Sequence, residues 1–341
     1  MERRSSVAPI SSICRNLLIF LLVLPLWGTA PVHADNYLLF FEAQGVAGYS
    51  SQLGEPIYYS MNPEAEMQKS SIGVDYLHRF SGESGDWGSL GFQGRLAWIE
   101  DKEDFAQFEP QVYNAWIKFK TPVSDIWIGH NRPAFGLGSY FDSHPLLLRT
   151  LPIQGFGYDR DWGIGTYRDF SRGNLQFSAT TGSGMPVYFK GNYMLAGRAA
   201  YGVLNEDNYS LGFSVGYGET LETMGNELLE SEPQDMRLGG VDLAVLRNNL
   251  EHRFDLLAGE WLGQSTQAAM YRLGYLFGPE QRLKIELQPT WWRTGNEENW
   301  LLSLCFSALV TADLTFRTMY EYNQDEEDHR AIVQLYYYLP I

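Results

Sequence analysis

Cysteine is nearly absent. The 341 residues contain two, Cys14 and Cys305, and Cys14 precedes an apolar run that reads as a cleaved leader, so the exported chain has no intrachain disulfide available. Long apolar runs are scarce too. Beyond residue 27 no stretch reaches the roughly 20 apolar residues a helix needs to cross a bilayer, and a 3.6-residue apolar period is rare, which excludes helical membrane and helical-bundle architectures. Positive charge is in short supply, 25 Lys and Arg against 41 Asp and Glu for a net charge of −16, and this disfavours nucleic acid as a partner. Catalytic signatures are weak or missing: the Gly-x-Ser-x-Gly letters at Gly212 to Gly216 fall inside the alternating run 209–217, and there is no Cys-x-x-Cys, no His-x-x-x-His and no phosphate-cradling loop ending in Lys-Ser or Lys-Thr. The expectation is a protein that is not an enzyme and has neither cofactor nor metal. His78, His130, His144, His252 and His329 are scattered, and only His130 and His144 bracket a common segment.

What is present begins with an export signal. Arg3, Arg4 and Arg15 give a basic start, 17–27 is an apolar run too short to span, and Val32-His33-Ala34 fits the small-residue cleavage rule before Asp35. Residues 1–34 are therefore expected to be a signal peptide, and 35–341 one domain with no linker. Discarding three arginines and one glutamate leaves the exported chain more acidic still.

Within that domain, runs of about ten residues alternate apolar with polar or small side chains and end in turn signals, the mark of strands with one oily and one wet face. Sixteen occur, at 37–49, 70–80, 88–99, 111–120, 126–131, 161–169, 174–181, 192–204, 209–217, 237–247, 252–263, 267–277, 282–293, 299–309, 313–323 and 329–341. Aromatics near the ends of their apolar faces (Tyr37, Trp98, Tyr113, Tyr209, Tyr217, Trp291, Trp300, Tyr320, Tyr337) suit an interfacial girdle. Short and long connections alternate, with 50–69, 100–110, 133–160, 183–191, 219–236, 264–266, 294–298 and 324–328 on one side. The fold class expected is all-β: a closed transmembrane antiparallel β-barrel of about sixteen strands, closure being what leaves no unpaired strand edge in lipid.

The longest irregular connection is 133–160. It is rich in Gly, Pro and apolar side chains such as Phe135, Leu137, Leu147, Leu148 and Phe156, so it is expected to pack, as the third external loop, inside the barrel and narrow it. Its start, Ile-Gly-His-Asn-Arg-Pro-Ala-Phe-Gly-Leu-Gly, and the return Asp159-Arg160-Asp161-Trp162-Gly163-Ile164 resemble the strand-to-loop signature and following strand of the phosphate-selective porin O/P family. The match rests on Gly129, Pro133, Phe135, Gly136 and Leu137, with Ala134 inserted, and covers some 40 residues. The resemblance implies a sixteen-stranded, usually trimeric outer-membrane porin whose third loop forms the constriction. With Arg132 at its entry the loop offers three arginines and no lysine, which argues for weak anion preference instead of a phosphate-specific site.

The apolar parity of the strands leaves Arg79, Arg95, Lys118, Lys120, Arg198, Arg253, Arg272, Lys284, Arg317 and Arg330 facing the lumen, opposed by Glu42, Asp75, Asp242, Asp255, Glu286 and Glu321. The remaining acids crowd external loops, Glu219 to Asp235 above all. Constriction and solute contacts are expected from Arg132, Arg149, Arg160, Asp142, Asp159, His130 and His144, the guanidiniums because they grip carboxylate or phosphate bidentately. The function expected is passive diffusion of small hydrophilic or anionic solutes across the bacterial outer membrane, with lipid, lipopolysaccharide and two further copies of the chain as partners. The alternative is a barrel that sheathes an inserted electron-transfer cytochrome. Lacking Cys-x-x-Cys-His, the chain itself would hold no c-type haem.

Overall fold

Alternation of side-chain character becomes a closed sheet. The computed structural model describes residues 36–57, 68–83, 85–99, 107–142, 144–224 and 227–341; the expected leader and most of the acidic loop at 100–110 lie outside them. The strands are β1 (Tyr37–Ser50), β2 (Glu55–Ile57), β3 (Ser71–Gly82), β4 (Gly85–Ile99), β5 (Gln107–Lys120), β6 (Asp125–Asn131), β7 (Asp161–Phe170), β8 (Gly173–Thr180), β9 (Tyr193–Tyr201), β10 (Tyr209–Met224), β11 (Glu227–Arg247), β12 (Leu250–Trp261), β13 (Gln264–Phe277), β14 (Leu283–Thr294), β15 (Glu297–Leu309), β16 (Leu314–Asn323) and β17 (Asp328–Pro340). Apart from the short β2, which β3 bypasses to pair with β1, each pairs antiparallel with its sequence neighbours, and β1 pairs with β17 from Phe40↔Pro340 to Ser50↔Arg330, which closes the ring. The three-residue β2 only prolongs the neighbour of β1 where β3 stops, at Gly48 to Ser50. The result is a sixteen-stranded antiparallel β-barrel.

Its surface is inverted relative to a water-soluble sheet protein. Ile72, Val74, Phe92, Phe177, Leu195, Val215, Leu304 and Val333 are exposed on the outside, while Glu42, Arg95, Arg198, Asp242, Arg272 and Glu321 are buried. The two sets belong to opposite faces of the same strands, as the two-residue period requires. All sixteen runs read from sequence correspond to strands.

Three details differ from expectation. The acidic stretch 219–236 is a hairpin, because the β10–β11 ladder continues to Met224↔Glu227 through two register shifts. In β5 the register slips between Gln93↔Asn114 and Gly94↔Val112. Tyr113 is the extra residue of that bulge, which turns it from the expected outer girdle to a buried position at 5% exposure, since a bulge reverses the parity of whatever precedes it. Finally β9 ends at Tyr201, and Leu204–Asp207 is one helical turn closed by left-handed Asn208.

Candidate functional site

The segment between β6 and β7 has almost no secondary structure of its own beyond one 3-10 turn at Leu137–Ser139, so its backbone groups need other partners. The polar faces of the strands supply them. Ala134 N–H donates to Ser178 Oγ of β8 at 3.0 Å, Gly136 N–H to Ser214 Oγ of β10 at 2.9 Å, and Leu137 N–H to Asp255 of β12 at 3.4 Å. Further along, Arg272 of β13 donates to the carbonyls of Leu148 and Arg149 at 3.1 and 3.3 Å, and Gln288 of β14 to that of Arg149 at 2.8 Å. The Arg149 guanidinium pairs with Glu321 of β16, and His144 Nε2 lies 2.8 Å from Glu42 of β1.

Apolar packing completes the attachment. Leu137, Leu151 and Phe156 join Met194, Met236, Leu238, Leu257, Trp261 and Met270 in one cluster, while Leu147 and Leu148 join Val46, Ile57, Cys305, Met319 and Ile332 in another. A fully buried leucine or phenylalanine stabilises by about 1.5–3 kcal/mol, so these side chains hold the segment more firmly than any one hydrogen bond. The Pro-Ala-Phe-Gly start has a local cause. Phe135 lies against Gly216 and Gly240, where an added Cβ would meet its ring at 3.4 and 3.3 Å, and Gly136 takes φ +58, a region that favours glycine.

The charged residues expected at this site fall into separate groups. Arg132 reaches Asp142 at 2.8 Å, and Arg160 contacts Asp142 at 3.3 Å as well as Asp159 and Asn114, so four of them form one knot. Arg160 also lies 5.0 Å above the Tyr113 ring, whose surroundings include Arg95 at 4.5 Å and His144 at 4.0 Å. Arg149 stands apart with Glu321, and His130 is stacked on Trp162 at 4.8 Å with no exposed surface. The two histidines therefore do not meet, and among the described residues no cluster of three His, Cys, Asp or Glu side chains has the makings of a metal site. Among the expected inner-wall cations, Arg198 forms a bidentate pair with Asp242 at 2.7 and 2.8 Å. Lys118 lies 5.4 Å from the Trp116 and Tyr167 rings, and Arg79 is exposed near the end of β3. Arg272 bonds Gln288 and the two segment carbonyls, Arg317 bonds Gln334, and Arg253 covers Phe141 at 4.1 Å; among the described residues none of the three has a carboxylate in ion-pair range.

Sequence reading missed Asp161. Its buried carboxylate accepts N–H bonds from Gly182 at 2.7 Å and Gly184 at 3.1 Å and the Thr181 hydroxyl at 2.7 Å, tying the end of the segment to the next connection. No motif marks this role, because the partners are mostly backbone.

Asp142 gives a titration expectation. Its position inside the protein works to raise its carboxyl, but Arg132 and then Arg160 prevail and hold it well below the ordinary range. A depressed carboxylate contributes stability that is complete above the unfolded value, about 3.9, and fades only as pH falls through the folded value. The knot is thus expected to persist at about pH 4.5. Asp142→Asn should alter single-channel conductance by the same amount there as at neutral pH, and an effect that vanishes in mild acid contradicts this.

No family model and no characterised protein matches the sequence. Solved structures do match in fold. OmpF of Salmonella typhi superposes with a TM-score of 0.63 at 10% identity, covering 90% of this chain and 99% of that one. An anion-selective porin from Comamonas acidovorans gives 0.57 at 13% identity, over 89% and 99%. OmpT of Vibrio cholerae, an outer membrane protein described in a trimer form, gives 0.56 at 10% identity, over 89% and 98%.

Proposed function

We propose that this chain is an outer-membrane porin, a water-filled passage for small hydrophilic solutes with a weak preference for anions. The observation that carries the reading is the inverted barrel crossed by its own segment: an apolar outside that only lipid suits, a charged inside that only water suits, and 132–160 bonded to strands on all sides of the ring. We take that segment to be the constriction, folded into the lumen. A sheath around an inserted partner would need those inner walls free, and Ser178, Ser214, Arg272, Gln288, Glu321 and Glu42 are already engaged. The porin fold of the structural neighbours supports the same reading.

Arg132, Arg149 and Arg160 are neutralised by carboxylates, so we assign the anion preference mainly to Arg253, Arg272 and Arg317 on the wall. Arg272 Nη1 and Arg317 Nε are buried without a hydrogen-bond partner in the protein, so what these guanidiniums offer a passing anion is the field of an uncompensated charge.

Residues 1–34 are read as the export signal, and lipid and lipopolysaccharide as the surroundings. A homotrimer is proposed by extension from the trimeric neighbour. Strands β6 and β8, with 7 and 8 residues, fall short of the about 9–11 a membrane strand needs. The outside there is an apolar depression of about 720 Å³ bordered by Ile164, Phe177, Leu195 and Val215. That low wall is the face we expect a second copy to cover.

Planar-bilayer recording tests the function. Purified protein in detergent should insert as discrete conductance steps, and under a salt gradient the reversal potential should take the sign of anion preference. A protein that stays soluble without detergent and makes no steps would refute the porin reading; a cation-selective potential would remove the anion preference alone.

A further inference from the structure

A cavity of about 280 Å³ opens between residues 152–160 of the long segment and the facing parts of β10 to β14. It sits at the end of the barrel where 183–191, 219–236, 264–266 and 294–298 join the strands, the end expected outside. Its volume is just under the roughly 300–1,000 Å³ of sites for drug-sized ligands, so its occupant is small. Aromatic rings make the apolar side. Tyr158 and Trp261 stand at 71° to each other with centroids 5.5 Å apart. The polar end of each is taken up by the protein: the Trp261 indole N–H donates to the Gly155 carbonyl at 2.9 Å, and the Tyr158 hydroxyl donates to the carbonyls of Gly182 and Leu221. These two rings and Phe156 therefore turn carbon toward the cavity, and Tyr158 is the most accessible of the three. Neutral polar groups make the other side. Gln234, Gln264 and Thr294 border the cavity from three different strands, Gln264 exposed and the other two half-buried. Among the described residues their amides and hydroxyl have no hydrogen-bond partner in the protein. Ions find little here. Three bordering residues are charged, Asp159, Arg160 and Glu222, and the guanidinium is already shared between Asp159 and Asp142.

We propose that this cavity is a subsite for a small neutral ring bearing several hydroxyls, a monosaccharide by chemical class, a reading that rests on the channel and names a solute its ion preference does not. A carboxamide carries donors and an acceptor side by side, which matches neighbouring hydroxyls that each give one hydrogen bond and take another. Gln234 and Gln264 supply two such groups and Thr294 a third. The C–H face of the sugar ring covers the carbon that Tyr158 and Trp261 present, an apolar contact that a fully solvated polyol lacks. An anionic solute gains nothing comparable, since it meets two carboxylates and a guanidinium that is already occupied. Water competes for every hydrogen bond in the site, so the net gain from each is small. Weak binding is also what passage demands, because a solute that enters has to leave. Half-occupancy is expected on the order of 10 mM.

The test is single-channel current in a planar bilayer with methyl α-glucoside added to both chambers, compared with tetraethylene glycol, which has the same mass but neither ring nor adjacent hydroxyls. The sugar should lower the current saturably, with half of the effect on the order of 10 mM, while the glycol lowers it only in proportion to viscosity. Gln234→Leu with Gln264→Leu keeps the bulk and removes both amides. Read on molecules that still give steps, this pair should raise the half-effect concentration about tenfold, and Thr294→Val alone about threefold. A current that falls alike with sugar and glycol, a saturable effect that the paired substitution does not move, or glucosamine or glucose 6-phosphate acting at lower concentration than the neutral sugar each overturn the inference and leave the channel standing. Absence of any step overturns both.

Discussion

Glu321→Gln is expected to destabilise the barrel by roughly 3–5 kcal/mol and to make its current flicker. Glu321 is 1% exposed and receives the Arg149 guanidinium, the Ser303 hydroxyl at 3.2 Å and, at 3.8 Å, Arg330. Removing the carboxylate's charge leaves Arg149 buried without a counter-ion, and that uncompensated charge, more than the lost bond, sets the size of the effect. Arg149 lies near the middle of the 132–160 segment, so that segment loses its hold on β16 and samples displaced positions. Urea unfolding in detergent reads the first consequence and single-channel noise the second. Arg149→Gln combined with Glu321→Gln removes both charges and should recover part of the stability, a coupling that a double-mutant cycle measures. If the single and double variants unfold alike, the pair does not carry the energy assigned to it.

Asp161→Ala is expected to be as severe for a different reason. The Asp161 carboxylate is fully buried, and its loss strands the N–H groups of Gly182 and Gly184 and leaves the Thr181 hydroxyl only its contact with Ser183 Oγ at 2.8 Å. Each buried donor left unmade costs about 1–3 kcal/mol, so the two stranded N–H groups put about 2–6 kcal/mol at stake. Asp161→Asn keeps one acceptor oxygen and should lose about half as much. Amide hydrogen exchange localises the change. Protection should fall at 181–184 while the β12–β15 ladder is unaffected, and uniform loss across the barrel would contradict a local role.

The barrel was legible because its signal is repeated sixteen times. In β3, exposed Ile72 and Val74 alternate with Ser71, Gly73 and Asp75, and each such run specifies both a strand and the face it turns outward. The bulge at Tyr113 was not legible, since alternation continues through the letters of β5 while the register slips by one. Nor was the acidic hairpin: beyond the apolar belt the outward positions of β10 and β11 become polar, and the pattern fades before the ladder ends. The segment 133–160 stood out by length and apolar content. Whether its arginines were free was not legible, because the partner of Arg149 is 172 positions away. Sequence gives the charge of a side chain and not the company it keeps.

The seam has a consequence for biogenesis. Gln334 donates to Gln44, 290 positions away, at 2.9 Å, and β1 finds its outer neighbour only in the final strand. No nascent or truncated chain that lacks β17 can shut the cylinder, however well its other hairpins zip. Contacts this remote in sequence form slowly, so the chain spends its maturation as an open trough with two adhesive rims. Delivery to the membrane therefore has to keep those rims apart from other chains until the last segment arrives.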